Sequence, residues 1–293
     1  MDRFKATKIS SILGIVGNIF LLIIKAIAGF LSNSQSLIAD AFNSAGDIFS
    51  SCMTFIGNKI SSKEADEDHH LGHGKAEYIY SLLISITMIV LSVTVIKNAI
   101  MTLVNKEYFE YSIWLIIICL ITIITKFSLF LFTNKLYKKH TNILIKANSI
   151  DHRNDCFITT TTLISIILGN MGLYFVDAIV GILISLWIFY TAIKLFIESY
   201  DILMDKAMSE ETKEKVLQII NKHEEVIKIQ HFNATPVGYR YQISFTIYVD
   251  GNMSTFDSHA IANSLEREIE KEIPEIYLTV IHVNPTEIKK KNK

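Results

Sequence analysis

Four polar side chains stand inside otherwise apolar stretches of this sequence. Asn43 and Asp47 lie in one stretch, and Asp151 and Asp155 lie in another. Each pair is spaced i, i+4, so its two side chains share one face of a helix. Carboxylates inside a membrane span are costly and usually functional. Three carboxylates and one amide carbonyl are all oxygen donors, and together they predict a site for a hard divalent cation.

The second acidic stretch offers two competing ligand sets. Asp151 and Asp155 form an all-oxygen pair, which favours manganese or a similar hard ion. His152 and Cys156 lie about 100° further around the helix and form a nitrogen and sulfur pair, which favours zinc. A third interpretation is that these groups only cap helices or hold the helices together. Two matched acidic pairs in separate spans favour a site over that interpretation.

The composition indicates a membrane protein that spans the bilayer several times and carries a polar appendage. Of the 293 residues, 50% are hydrophobic and only 19% are charged, and the mean hydropathy is +0.35. The net charge of −1 gives no global field for binding nucleic acid. The 3 cysteines have no paired spacing, which argues against disulfides and a zinc ribbon. The sequence lacks a Gly-x-Gly-Asp segment, so an intramembrane aspartyl protease is disfavoured.

Six segments are long enough to cross a bilayer, which takes about 20 residues each. The second and fifth are the least hydrophobic, and they contain the two acidic pairs. Polar side chains there must face protein or water rather than lipid. The predicted spans are Ile9–Leu31, Leu37–Lys59, Ala76–Val104, Ser112–Thr133, Ile145–Leu168 and Phe175–Met204.

The distribution of lysine and arginine predicts the orientation of these spans. Basic residues are concentrated at the N-terminus and in the loops after the second and fourth spans. The loops after the first, third and fifth spans contain only Lys106 between them. Since short cytoplasmic loops are enriched in lysine and arginine, both termini are expected in the cytoplasm, with the protein in the cell membrane.

After Met204 the long apolar runs end, and amphipathic and alternating patterns replace them. Two amphipathic helices and three strands are predicted in the order αββαβ, which describes a small cytoplasmic α+β domain. We therefore expect a transmembrane domain over residues 1–206 and a cytoplasmic domain over residues 207–293. The elements are Ser209–Glu225, Val226–Phe232, a strand around Tyr241–Val249, Ser254–Ile273 and Tyr277–Val283.

Several motifs in the sequence resemble the cation diffusion facilitator family, in order and over nearly the whole chain. They are the run Asn33–Ala41 followed by Asn43 and Asp47, the run Gly72–Glu77, and the run Lys146–Asn148. The resemblance implies a homodimeric transporter, not an enzyme, with six spans per protomer and no prosthetic group. It implies efflux of divalent cations in exchange for protons. The C-terminal part resembles the family's metallochaperone-like, ferredoxin-like dimerisation module.

The resemblance also selects between the two ligand sets. Aligning Lys146 and Ala147 places Asp151, and not His152, at the family's first ligand position in the fifth span. The set Asn43, Asp47, Asp151 and Asp155 resembles the manganese branch, whereas zinc members carry histidine in this site. Manganese lies lowest in the divalent affinity order, so removing an imidazole removes much of zinc's advantage. The same antiporter with Zn²⁺, Fe²⁺ or Co²⁺ as its substrate is the nearest alternative, and a non-transporting metal sensor is a more distant one.

The resemblance carries two further metal sites onto this chain. The first is a loop site at Asp66, His69 and His73. The second is a regulatory site in the cytoplasmic domain, for which this chain keeps His231, His259 and His282. That second site is incomplete, because Ser244 or Phe245 and Asn284 stand where the family has a histidine and an aspartate.

Five charged positions complete the expectations. Lys25 and Lys126 lie within spans, where pairing with carboxylates or snorkelling is expected. Asp40 lies on the stripe of Asn43 and Asp47, where it lines an exit path or packs against a neighbour. Relatives form an ion pair between positions that correspond to Lys75 and Asp205, and that pair joins the spans of the dimer.

Overall fold

The structure is a computed structural model that describes residues 2–31, 35–105, 113–169 and 174–286. Asn33 and Ser34 of the first motif, together with Lys106 and Ser112, lie outside the described residues. The chain folds into two compact units. One contains Met1–Glu64 and Ala76–Tyr200, and the other contains Ala65–Lys75 and Asp201–Lys293.

Within the described residues, six long helices cover the six predicted spans. Four of them (α1, α3, α4 and α6) are long and apolar enough to cross a membrane. The other two, α2 and α5, have 27 residues each, which is also enough to span, and they contain the polar pairs. The predicted helical membrane architecture is confirmed. The helices are α1 (Arg3–Leu31), α2 (Gln35–Ser61), α3 (Ala76–Asn105), α4 (Ile113–His140), α5 (Ile143–Gly169) and α6 (Tyr174–Leu203).

The boundary between α4 and α5 differs from the prediction. The helix α4 continues past Thr133 to His140, with Lys138 and Lys139 in its last turn, where cations favour the helix dipole. Asn142 then caps α5, because its Oδ1 accepts hydrogen bonds from the backbone N–H groups of Leu144 and Ile145, at 2.8 and 3.3 Å. The basic residues that were predicted in the loop after the fourth span therefore include Lys138 and Lys139, which lie in the last turn of α4.

Small and polar side chains allow α1 and α2 to pack closely along their lengths. A Cβ atom on Gly14 would lie 2.7 Å from Ser51 Oγ, so a larger residue requires the Ser51 side chain to move. Asn18 Nδ2 donates to the same Ser51 Oγ at 3.4 Å. Small residues and interhelical hydrogen bonds are typical of helix packing in membranes. This interface holds α2, and hence Asp47 one turn before Ser51, against α1.

The C-terminal unit has the predicted αββαβ order. Two serines cap its helices, since Ser209 Oγ accepts from the backbone N–H of Thr212 and Ser254 Oγ accepts from that of Asp257. The fold prediction for this part is confirmed. The elements are α7 (Glu210–Asn221), β1 (Lys228–Val237), β2 (Arg240–Asp250), α8 (Thr255–Glu272) and β3 (Ile276–Thr286).

The three strands form one sheet in the order β1-β2-β3. The pair β1 and β2 is antiparallel, whereas β2 and β3 are parallel. Alternate residues of β2 are buried, as the period-2 pattern predicted. They pack with apolar residues of α7 and α8 in one core, which contains Ile243, Phe245, Ile247, Val249, Val216, Ile220, Leu265 and Ile269.

The first strand is displaced from its predicted position at Val226–Phe232. It begins at Lys228 and continues to Val237, past an irregularity between Gln230 and Asn233. His231 has a φ of 52° at that irregularity. A bulge of this kind moves a side chain from one face of the sheet to the other, which interrupts the sequence pattern.

The loop 65–75 belongs to the same compact unit as the sheet. Gly74 lies against the hairpin between β1 and β2, because a Cβ atom added to Gly74 would lie 2.9 Å from Gly238 Cα. Gly238 has a φ of 65°, a conformation that glycine adopts without strain. Next to this contact, Lys75 Nζ donates to Asp205 Oδ1 at 2.7 Å within the one chain.

Candidate metal site

The three predicted carboxylates are buried inside the helical unit. Asp47 of α2 is 7% exposed, and Asp151 and Asp155 of α5 are each 5% exposed. Asn43, one turn before Asp47, is partly buried. These side chains face protein rather than lipid, as their cost in a bilayer requires.

A lysine of α4 joins the two acidic helices. Lys126 Nζ donates to Asp47 Oδ2 at 2.7 Å and to Asp155 Oδ2 at 2.5 Å. The Lys126 side chain is only 1% exposed. The expectation that this lysine pairs with carboxylates is confirmed. Its place directly between two predicted metal ligands was not foreseen, because sequence spacing does not give the rotation of α4 relative to α2 and α5.

A cavity of about 300 Å³ lies beside this triad. It brings Asn43, Asp47 and Asp155 to one space, but Asp151 is not among its lining residues. Hydroxyl and amide side chains provide further polar lining. The wall is formed by Lys25, Asp40, Asn43, Asp47, Asn98, Leu115, Cys119, Thr122, Lys126, Asp155, Ile158, Thr159 and Thr162.

Asp151 belongs instead to a second cluster on α5. One ligand atom from each of Asp151, His152 and Asp155 lies within 4.8 Å of the others. Asp151 Oδ2 and both ring nitrogens of His152 are buried and have no hydrogen-bond partner among the residues that the structure describes. Buried polar atoms without partners are rare and often mark sites for an ion or water. Asp155 is therefore common to the triad with Lys126 and to the cluster with Asp151.

The position of His152 differs from what the resemblance implied. The alignment set His152 aside, yet the structure places its ring next to both α5 carboxylates. Cys156, its partner in the alternative ligand set, is not part of that cluster. A mixed set of two carboxylates and one imidazole is thus available beside the all-oxygen set. The sequence feature that could have indicated this mixed set is the position of His152 directly after Asp151.

The donor atoms fit a divalent cation. Three carboxylates and one ammonium leave two negative charges without compensation within the set Asp47, Asp151, Asp155 and Lys126, and one dication would neutralise them. Carboxylate and amide oxygens suit hard ions, whereas an imidazole extends the choice to zinc. The arrangement can bind a cation reversibly, because protonation of a carboxylate removes its charge.

The second buried lysine of the membrane unit, Lys25, forms a separate ion pair. Its Nζ lies 2.9 Å from Asp40 Oδ2 and 3.0 Å from Ser44 Oγ. The predicted pairing of Lys25 with a carboxylate is confirmed. Asp40 is 36% exposed at its side chain and lines the cavity, so it both packs against a neighbour and faces the space beside the candidate ligands.

The predicted loop residues come together as a second candidate site. Asp66, His69 and His73 place one ligand atom each within 4.8 Å of the others. Asp66 Oδ1 lies 3.3 Å from His69 Nδ1, and Asp66 Oδ2 lies 3.3 Å from His73 Nε2. Desolvation raises the pKa of Asp66, but the hydrogen bond from the His69 backbone N–H and the nearby imidazoles outweigh it. The pKa of that carboxyl is therefore below its usual value.

The cytoplasmic histidines do not form a comparable group. His231, His259 and His282 are exposed, and among the described residues they belong to no cluster of three ligands within 4.8 Å. His259 Nε2 instead lies 3.1 Å from Asn263 Nδ2. Phe245, which with Ser244 is one of the two positions where the resemblance implied a histidine, is 2% exposed and belongs to the apolar core.

Comparison with known proteins agrees with this architecture. The model of the cation efflux transmembrane domain matches residues 11–204, and that of the cation efflux protein cytoplasmic domain matches residues 208–286. A similar solved structure is the metal-bound C-terminal domain of the CzcD transporter from Thermotoga maritima. It is 25% identical and covers 27% of this chain and 92% of its own, with a TM-score of 0.26.

Two full-length relatives come from Bacillus subtilis (strain 168). The manganese efflux system protein MneP is 27% identical over 292 residues, which is 97% of this chain and 98% of that protein. The manganese efflux system protein MneS is 28% identical over 288 residues, which is 98% of this chain and 99% of that protein. Since the transmembrane model alone matches well over half of the sequence, the chain belongs to the cation efflux family of multi-pass membrane transporters.

Proposed function

We propose that this protein exports Mn²⁺ from the cytoplasm through a transport site formed by Asn43, Asp47, Asp151 and Asp155. The observation that carries the proposal is the approach of Asp47 and Asp155 from two helices to one buried cation, that of Lys126. Buried carboxylates in such a position need a positive partner. A metal ion and the Lys126 ammonium are the two partners available to them.

Manganese is favoured by the donor atoms and by the relatives. An all-oxygen set lacks the imidazole that gives zinc its advantage over manganese in most sites. Both Bacillus relatives bear names of manganese efflux proteins. Zn²⁺ is the second candidate, and His152 is the observation that favours it, because its ring lies beside Asp151 and Asp155. Fe²⁺ and Co²⁺ lie between the two in the affinity order.

The transport cycle we propose is proton-coupled alternating access. The carboxylates bind the ion from the cytoplasmic side, and the helices then rock to expose the site outward. Protons from outside compete for the carboxylates and displace the ion, since a protonated ligand loses its charge. Deprotonation on the inner side resets the site. Both termini are in the cytoplasm in this scheme, as the lysine and arginine distribution predicts.

The two parts of the chain have separate roles in this proposal. Residues 1–206 form the transport domain, and residues 207–293 form a cytoplasmic domain through which two copies associate. The loop residues Asp66, His69 and His73 bind an additional ion that is not transported. His231, His259 and His282 contribute to weak regulatory binding only when the dimer or a change of conformation brings ligands together.

The direct test is metal uptake into inverted membrane vesicles that contain the protein and an imposed proton gradient. Mn²⁺, Zn²⁺, Fe²⁺ and Co²⁺ are supplied in parallel, and vesicles without the protein are the control. We expect proton-dependent uptake with Mn²⁺ as the best substrate. If the vesicles took up Zn²⁺ but not Mn²⁺, the metal assignment would be overturned. Metal binding to the purified protein without uptake of any of the four ions would indicate a sensor instead.

A further inference from the structure

We propose that Lys126 is a tethered counter-cation that occupies the transport site when no metal is bound and has to leave when metal binds. This inference rests on the proposed function and assigns a role to a residue of α4 outside the four candidate ligands. Lys126 Nζ contacts one carboxylate of α2 and one of α5, at 2.7 and 2.5 Å. The ammonium is therefore bound at the point where two candidate ligands meet.

The contacts of the ammonium exclude simultaneous binding of a metal ion by the same oxygens. A divalent ion binds carboxylate oxygens at about 2.0–2.6 Å, close to the distances at which Lys126 Nζ lies now. Two cations cannot occupy one position between the same oxygens, because their charges repel each other at short range. Metal binding between Asp47 Oδ2 and Asp155 Oδ2 thus requires that the ammonium moves away.

The same cavity provides a place for the displaced ammonium. Thr122 lies one turn before Lys126 on the same face of α4, and it lines the cavity with Lys126 and Asp155. Within the described part of the chain, its Oγ1 is buried and has no hydrogen-bond partner. Since side chains of a helix lean towards its N-terminus, the lysine stem reaches the level of Thr122. A buried hydroxyl without a partner is an acceptor that the displaced ammonium satisfies.

The exchange gives Lys126 two effects on transport. It weakens metal binding, because the ion first has to break two buried ion pairs, and this makes release on the far side easier. It also gives Asp47 and Asp155 a positive partner after release, so that fewer uncompensated charges remain inside the membrane when the empty transporter returns. The lysine stays charged throughout, and only its position changes.

The test compares Lys126→Met with the charge-keeping Lys126→Arg in the purified full-length protein. We expect Lys126→Met to bind Mn²⁺ about tenfold more tightly by titration calorimetry, which corresponds to about 1.4 kcal/mol, and to transport it more slowly. Lys126→Arg should bind as weakly as the original protein. Unchanged or weaker Mn²⁺ binding in Lys126→Met would overturn the proposal and leave the lysine with a structural role.

Lys25→Met is the matched control. It also removes a buried ammonium from the membrane unit, but that ammonium contacts Asp40 and Ser44 rather than the candidate ligands. Lys25 also lines the cavity, so its replacement can change the Mn²⁺ affinity, but by less than Lys126→Met does, because its ammonium does not lie between the candidate ligands. Equal tightening in Lys25→Met would show a general charge effect and contradict the proposal. Asp155→Ala in a chain that also carries His69→Ala separates the two hypotheses, because Mn²⁺ binding that survives both changes cannot be assigned to the loop and contradicts the proposed transport site itself.

A structure of the unsubstituted protein with and without Mn²⁺ gives a second test that does not depend on a variant folding. With Mn²⁺ bound, Lys126 Nζ should lie beyond hydrogen-bond distance of both Asp47 and Asp155 and near Thr122 Oγ1. Metal bound by these aspartates while both ion pairs persist would overturn the proposal.

Discussion

Arg3 and Glu77 form a bidentate ion pair at the start of α1 and α3. Arg3 Nη1 donates to Glu77 Oε1 at 2.8 Å, and Nη2 donates to Oε2 at 2.7 Å. Glu77 is 1% exposed and also accepts from Asn142 Nδ2 at 3.0 Å, next to the start of α5. One buried carboxylate therefore connects three helices, which gives this residue of the Gly72–Glu77 motif a structural role.

Replacing Glu77 by glutamine should destabilise the protein. The change removes the charge of a buried pair, and losing one partner of such a pair costs about 3 kcal/mol or more. Thermal unfolding of the detergent-solubilised protein measures the effect as a lower midpoint. Glu211→Gln is the control, since its pair with Lys215 on α7 is exposed and exposed ion pairs contribute little to stability. Equal midpoints for the two variants would contradict the structural role.

Replacing two glycines of the membrane helices by alanine should have opposite effects on the stability of the protein. In Gly14→Ala the new Cβ would lie 2.7 Å from Ser51 Oγ, and forcing extra atoms into a packed interface costs about 1–3 kcal/mol. A Cβ at Gly46 meets nothing within 4 Å, so Gly46→Ala should stabilise α2 by up to about 1 kcal/mol. Unfolding midpoints of the two variants check both signs. A Gly14→Ala protein as stable as Gly46→Ala would show that α1 and α2 are not so closely packed.

His152 should affect the choice of metal more than the transport of manganese. If the all-oxygen set carries Mn²⁺, His152→Leu leaves the Mn²⁺ concentration for half-maximal uptake within about threefold, while competition by Zn²⁺ weakens because the nitrogen donor is lost. Uptake assays with mixed metals measure both effects. Cys156→Ser is the control and should change neither. A large loss of Mn²⁺ uptake in His152→Leu would make the imidazole a ligand of the transported ion.

The loop site should bind one ion that does not depend on the transport site. His69→Ala removes one member of the cluster with Asp66 and His73, so the protein should retain one ion fewer per chain after removal of free Zn²⁺. His70→Ala is a closely matched control, because this neighbouring histidine is not part of the cluster. Elemental analysis gives the metal-to-protein ratio. The same ratio in both variants would show that the loop binds no ion.

Much of the fold follows from local patterns in the sequence. Long apolar runs predicted the helices, and the alternation from Tyr241 to Val249 predicted the central strand β2. The predicted end of β1 at Phe232 was wrong because the irregularity at His231 breaks the period of two, and the strand continues beyond it to Val237. The predicted span ended at Thr133, whereas α4 continues to His140. The last turns of the helix are polar, so they lie beyond the apolar run from which the span was predicted.

The candidate site was predictable only within each helix. The i, i+4 spacing gave the pairs on α2 and α5, but spacing within one helix says nothing about the rotation of its neighbours. The sequence therefore predicted that Lys126 pairs with carboxylates or snorkels, but not that its partners are Asp47 and Asp155. The proximity of His152 to Asp155 also depends on side-chain directions that the alignment did not resolve.

The central claim is that the aspartates of α2 and α5 bind the transported ion. The most direct measurement is proton-driven Mn²⁺ uptake into vesicles with Asp47→Ala and Asp155→Ala, compared with Asp40→Asn. We expect Asp47→Ala and Asp155→Ala to lower the rate of Mn²⁺ uptake at least about 100-fold. Even supporting residues of a metal site contribute about 10–100-fold to metal affinity or activity. Asp40→Asn should retain most of the uptake, because Asp40 pairs with Lys25 and is not a proposed ligand. Uptake that persists in Asp47→Ala or Asp155→Ala would contradict the account.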